Sequence, residues 1–353
     1  MLAVVGLVAL PCGAELLVRG ASRLAGVFGV SPLVVGLTVV AFGTSAPEAA
    51  VGVQSVLTGS ADVALGNAIG SNVLNVLLVL GLSAAITPLV VSSRLVRLDV
   101  PIMIGVSFLL LVLCLNGELG RPDGLILFTG IAVYTFHAIR RGRREGGEEP
   151  RRNGRAETAG MLLQALYAAA GLFLLVLGAR WLVDGAVAVA EAAGLSQLVI
   201  GLTVVAVGTS LPEIATSVAA AFRGEREMAV GNIVGSCIFN VLFVLGLAGL
   251  VAPDGIGVSS AVLGFDLPVM IATAVACLPI FFTGLEISRW EGFLFLGYYV
   301  AYTLYLILAA TNHDALPAFS AVMMALVIPL TLVALLVPFV RALRGRAARR
   351  KTS

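Results

Sequence analysis

The motif "GTSAPE" at residues 43–48 returns as "GTSLPE" at 208–213, and the spacing of the copies limits the folds open to this chain. The longer stretches "SPLVVGLTVVAFGTSAPE" (31–48) and "SQLVIGLTVVAVGTSLPE" (196–213) agree at 14 of 18 positions, at an offset of 165 residues. "GNAIGSNVLNVLLVLG" (66–81) recurs as "GNIVGSCIFNVLFVLG" (231–246) at the same offset. Two blocks sharing one offset mark an internal duplication. Both lie in sequence made for a bilayer. Of the 353 residues, 59% are apolar and 12% charged, against about 25% charged in a soluble domain.

Apolar runs of the ~20 residues that cross a bilayer are expected at 2–26, 31–57, 62–86, 98–116, 123–140, 161–190, 196–221, 227–250, 262–283, 291–310 and 317–340. The run at Met1 lacks a basic leader and an AxA cleavage site, so it reads as the first span and not as a removed signal peptide. Each copy of the duplication holds five spans, an odd number, so the second copy must enter the membrane upside down. The expected fold is an all-α polytopic membrane protein with two inverted-topology five-helix repeats, 1–140 and 161–310. A basic linker (141–160) joins them, and 311–353 supplies an additional transmembrane helix and a basic tail. Transporters built this way place their site near the midplane, where the repeats meet.

Basic residues orient the chain. The linker "RRGRREGGEEPRRNGR" (140–155) and the tail "RALRGRAARRK" (341–351) should both be cytoplasmic, which places the N-terminus outside. Arg19, Arg23, Arg94, Arg97, Arg223, Arg226 and Arg289 then fall at inner ends, and Arg121 at an outer one. The linker reads as a flexible connector. A cell membrane, plasma or inner, is the expected location. Nothing points to nucleic acid or to a protein partner; the lipid bilayer is the expected surrounding. The cysteines, Cys12, Cys114, Cys237 and Cys277, sit in apolar sequence without CxxC spacing and read as packing residues, with neither disulfide nor zinc.

Glu48 and Glu213 are the costly residues. A carboxylate at the bilayer centre costs about 2.5–3.5 kcal/mol even on the lenient insertion scale, and such groups mark ion pathways. Pro47 and Pro212, one residue earlier, cannot bond the carbonyls of Gly43 and Gly208, so the helix should distort beside each glutamate. Thr44 and Glu48 share a face at i, i+4 with Ser45 beside them, and Thr209, Ser210 and Glu213 repeat the pattern. Ser71 with Asn75, and Ser236 with Asn240, also share a face. Carboxylates, amides and hydroxyls are hard oxygen ligands suited to Ca²⁺ and Na⁺, and two carboxylates neutralise one Ca²⁺. The GxxxG pairs Gly66/Gly70 and Gly231/Gly235 read as close helix contacts. Glu15 with Arg19 and Arg180 with Asp184 read as local ion pairs, the alternative being Glu15 with Arg180 across the repeats.

"GTSAPE" with "GNAIGSNVLN", and "GTSLPE" with "GNIVGSCIFN", resemble the sodium/calcium exchanger branch of the calcium/cation antiporter superfamily, over about residues 1 to 310. The resemblance implies Ca²⁺ held by Glu48, Glu213, Thr44 and Thr209. It implies flanking Na⁺ sites from Ser45, Ser71, Ser210 and Ser236 with the carbonyls of Ala41 and Ala206, and Asn75 and Asn240 at the centre. Spans one and six would cross the ligand-bearing bundle as a sliding gate. The family pattern commonly has aspartate at one of the two central positions; here both are asparagine. Cys237 also replaces the asparagine of "GSN" in the second copy.

The expected function is a secondary antiporter that exchanges Ca²⁺ for Na⁺ by alternating access. H⁺/Ca²⁺ exchange is the alternative, and a cation channel is less favoured. No phosphate loop, HExxH or GxGD motif suggests an ATPase or an intramembrane enzyme. No cofactor is expected, Ca²⁺ and Na⁺, with H⁺ as a further candidate, being transported ligands.

Overall fold

The computed structural model describes residues 2–28, 30–145, 154–192 and 206–351. Among them, nine helices are long and apolar enough to cross a membrane. Five belong with the bent pair α2/α3 to the first copy and the start of the second: α1 (Leu2–Phe28), α2 (Pro32–Thr44), α3 (Ala46–Leu57), α4 (Ala61–Ile86), α5 (Leu95–Cys114), α6 (Arg121–Glu145) and α7 (Gly154–Ala192). Then follow α8 (Ala206–Thr209), α9 (Leu211–Phe222), α10 (Arg226–Val251), α11 (Val262–Phe282), α12 (Arg289–Ala310) and α13, whose span is Leu316–Val337. The expected start of span seven, 196–205, lies outside the described residues, as does 146–153 of the linker. The flanks of that linker are helical: α6 runs to Glu145 and α7 begins at Gly154, in keeping with the helix propensity of Arg and Glu. The tail is helical too, to Lys351.

The second span is broken, and the break repeats. α2 and α3 meet at 41° around Ser45, whose φ of −80° and ψ of 3° leave the helical region. Ser210 takes φ −94° and ψ 11° between α8 and α9. Pro47 and Pro212 stand in the first turn of α3 and α9, where a missing N–H leaves nothing unpaired. Wider π turns begin at Asn75 in α4 and at Asn240 in α10, a rare geometry that recurs at functional sites.

α10 and α4 form the centre: 83% and 72% of their most apolar windows are buried, against 6% for α12 and none for α13. Gly231 and Gly235 bring α10 against α2, at Leu33, Leu37 and Ala41. Gly66 and Gly70 meet none of the described residues within 4 Å, and the segment equivalent to α2 in the second copy lies mostly outside the described residues.

α1 and α7 pack antiparallel with backbones touching. Gly6 lies against Gly178, Gly13 against Gly171, and Gly20 against Gln164. A Cβ on Gly13 would come 2.8 Å from the Gly171 oxygen. This register places Glu15 level with Gly171 and Arg180 level with Gly6, about 13 Å apart along the axis at about 1.5 Å per residue. The cross-repeat Glu15–Arg180 pair is therefore out of reach. The local pairs are not formed either. Glu15 bonds Arg223 at the end of α9, and Arg180 and Asp184 are exposed.

Four short strands report the inversion. β1 (Leu89–Val90) follows α4, and its counterpart in the second copy, β3 (Ile256–Gly257), follows α10. β2 (Glu118–Leu119) and β4 (Glu286–Ile287) are likewise equivalents. Yet β1 pairs with β4 and β2 pairs with β3, both antiparallel. Equivalent loops thus lie on opposite faces, as an inverted repeat requires.

Candidate cation site

The broken helices place the site residues. Thr44 and Ser45 end α2, and Glu48 lies in the first turn of α3, where the helix N-terminus favours an acidic side chain. Thr209, Ser210 and Glu213 occupy the same places around the second break. α4 presents Ser71, Asn72 and Asn75; α10 presents Ser236, Cys237 and Asn240. Glu48, Glu213, Thr44, Ser45, Ser210, Ser236, Asn75 and Asn240 are fully buried, and Ser71 nearly so.

The hydrogen bonds run from one repeat to the other. Thr44 donates to Asn232 Oδ1 at 3.2 Å and shares a hydrogen with the Ser236 hydroxyl at 3.3 Å. Thr209 donates to Asn67 Oδ1 at 3.4 Å. Ser210 lies 3.3 Å from both Glu48 Oε1 and the Ser71 hydroxyl. Asn232 and Asn67 were not among the expected site residues, although each is the second residue of a repeated "GN" and so carried the same duplication signal. Ser217 was missed as well; it accepts from Asn232 Nδ2 at 3.0 Å. Its equivalent is Gly52, and Asn67 Nδ2 has no partner. Thr209 and Asn67 are half-buried, whereas Thr44, Asn232 and Ser217 are sealed.

Six buried oxygens at the centre have no hydrogen-bond partner: Ser45 Oγ, Glu48 Oε2, Asn75 Oδ1, Asn240 Oδ1 and both oxygens of Glu213. Thr44 and Ser236 face Glu213, and Glu48 lies within electrostatic range of it, but neither Glu213 oxygen is bonded. Leaving buried carboxylate oxygens bare is costly. A hard cation relieves that cost, and Ca²⁺ takes 6–8 oxygens. The Ala41 carbonyl is less free than a ligand role would have it, since it accepts the Ser45 N–H at 3.0 Å and the Thr44 hydroxyl at 3.4 Å. Ala206 opens α8, and its side chain lies outside the described set.

The family model for the sodium/calcium exchanger protein matches residues 1–140 and 163–308. The chain belongs to the sodium/calcium exchanger family. This exchanger is 33% identical to the sodium/calcium exchanger MaX1 of Methanosarcina acetivorans over 340 residues, 86% of this chain and 96% of that one. It is 36% identical to the putative antiporter CaxA of Alkalimonas amylolytica, covering 78% and 86% of the two chains. It is 35% identical to the inner membrane protein YrbG of Escherichia coli, covering 72% and 80%. Among solved structures, the sodium-calcium exchanger NCX_Mj superimposes with a TM-score of 0.75 at 30% identity, covering 88% of this exchanger and 97% of that chain. Both "GTS…PE" blocks and both "GN…N" blocks fall inside the matched residues; α13 falls outside them.

Proposed function

We propose that this exchanger carries Ca²⁺ across the membrane against Na⁺ by alternating access. The observation that carries the reading is the pair Glu48 and Glu213, buried together from opposite repeats with three bare oxygens between them. Ca²⁺ would take those carboxylates with Thr44 and Thr209. Na⁺ would occupy flanking positions built from Ser45 and Ser236 on one side and Ser71 and Ser210 on the other, with the carbonyls of Ala41 and Ala206. One set of oxygens cannot serve both loads at once, so the two cations displace each other and coupling follows.

The working units are the repeats 1–140 and 161–310, with 141–160 as linker and 311–353 outside the exchange machinery. The N-terminus lies outside and the tail in the cytoplasm, as the arginine placement favours. In that orientation the half-buried Thr209 and Asn67 face outward, and the sealed Thr44 and Asn232 face inward. Transport chemistry of this kind makes the protein a carrier and not an enzyme. Proteoliposomes loaded with Na⁺, with K⁺, or carrying only a pH gradient separate the couplings: Ca²⁺ uptake should need internal Na⁺. Uptake driven by the pH gradient alone would replace this reading with H⁺/Ca²⁺ exchange.

A further inference from the structure

Asn72 and Cys237 stand at equivalent places in the two copies and meet at the centre of the molecule. Asn72 Nδ2 donates to the Cys237 carbonyl oxygen at 3.1 Å, and the Cys237 thiol lies 3.9 Å from the Asn72 carbonyl oxygen. The Met270 sulfur is 3.5 Å from the same Nδ2. A carbonyl oxygen only accepts, so the Asn72 amide must turn its nitrogen that way. Its Oδ1 then points to the other side, where it accepts from Asn240 Nδ2 at 3.1 Å. Asn240 is left presenting Oδ1, which is buried and has no partner. Donor and acceptor chemistry fixes every amide in this relay.

The mirror relay does not exist. Asn75 would need an amide oxygen at position 237, and Cys237 offers a sulfur, a weak acceptor. Both polar atoms of Asn75 are accordingly buried without partners. We infer that Asn72 is a positioning residue that locks the Asn240 amide with its oxygen toward the transported cation, and that Cys237 denies Asn75 the same lock. The two central asparagines are therefore unequal ligands, one fixed and one free to turn. A pre-oriented oxygen loses less freedom when the cation arrives. The inference deepens the exchange reading above and rests on it.

The test exchanges the lock. Purified full-length protein is assayed for Ca²⁺ and, separately, Na⁺ binding by the shift in melting temperature across a titration of each chloride salt, with choline chloride as control. In the wild type, Asn240→Ala should weaken Ca²⁺ affinity about three- to ten-fold more than Asn75→Ala does. In the swapped background Asn72→Cys/Cys237→Asn the order should reverse. An unchanged order overturns the inference. Should the swap fail to fold, Cys237→Asn alone should raise the cost of Asn75→Ala to that of Asn240→Ala, and no change there overturns it equally. A wild type responding to neither cation sinks the exchange reading instead. The lock is then scored on ligand-free melting: Asn72→Ala and Asn240→Ala must be non-additive, and additivity refutes it.

Discussion

Glu48 and Glu213 differ in their surroundings although the sequence around them is nearly the same. Glu48 has the Ser210 hydroxyl on one oxygen, while Glu213 has no hydrogen bond. Each nevertheless supplies a charge that the cation needs. Glu48→Gln and Glu213→Gln should each abolish Ca²⁺ binding while the protein still inserts and melts cooperatively; a normal isotherm in either variant removes the residue from the site. Protons compete for the same oxygens. Protonation cancels a carboxylate's charge, so Ca²⁺ affinity should fall as pH falls through the range where Glu48 and Glu213 take up protons. Asn75 and Asn240 do not titrate, so Asn240→Asp should add a further pH-dependent component. Isotherms across pH on the wild type and Asn240→Asp check both statements, and a flat wild-type profile into the acid range contradicts the two-glutamate site.

Elements carry the second set of consequences. The close register of α1 on α7 leaves no room at Gly13, where a Cβ would meet the Gly171 oxygen and the Leu175 nitrogen at 2.8 Å. Overpacking of this kind costs about 1–3 kcal/mol. Gly13→Leu should lower the melting temperature by several degrees, whereas the same change at Gly26, which meets none of the described residues within 4 Å, should not. The inner ends of α1 and α9 are joined by Glu15–Arg223 and by Ser22–Glu225. The equivalent positions on the opposite face hold Arg180 with Thr58 and Val187 with Ser60, which can form no ion pair. Arg223→Gln should therefore shift the equilibrium toward the inward-open form. Apparent KM for Ca²⁺ should drop at the cytoplasmic face and rise at the outer one, by up to about five-fold for a partly exposed pair. A shift of the same sign at both faces would mean general damage, not a latch.

At the scale of the molecule, the inverted repeat was legible because 165 residues separate two blocks in unbroken register and each copy holds an odd number of spans. The paired glutamates were legible because a carboxylate at that depth has few bland explanations. Asn232, Ser217 and the Asn72–Asn240 contact were not. Each depends on which side chains from different repeats meet, and a duplication signals equivalence without giving contact. The partner of Glu15 was misread for the same reason: local spacing favoured Arg19, and only the tight α1–α7 register and the end of α9 reveal Arg223. Sidedness can be checked directly. Single cysteines at Gly146 and Arg346 should label from the cytoplasm and one at His313 from outside; if Arg346 and His313 label from the same face, α13 does not cross the membrane.

The central claim is that two facing carboxylates couple Ca²⁺ to Na⁺, and sided flux tests it most directly. Proteoliposomes containing wild type, Glu48→Gln or Glu213→Gln, loaded with Na⁺ and diluted into Na⁺-free buffer with ⁴⁵Ca²⁺, report exchange as tracer uptake. Uptake by the wild type should be rapid and should vanish when internal Na⁺ is replaced by K⁺, and neither variant should exceed empty liposomes. Wild-type uptake indifferent to internal Na⁺, or uptake that survives the loss of either glutamate, would contradict that claim.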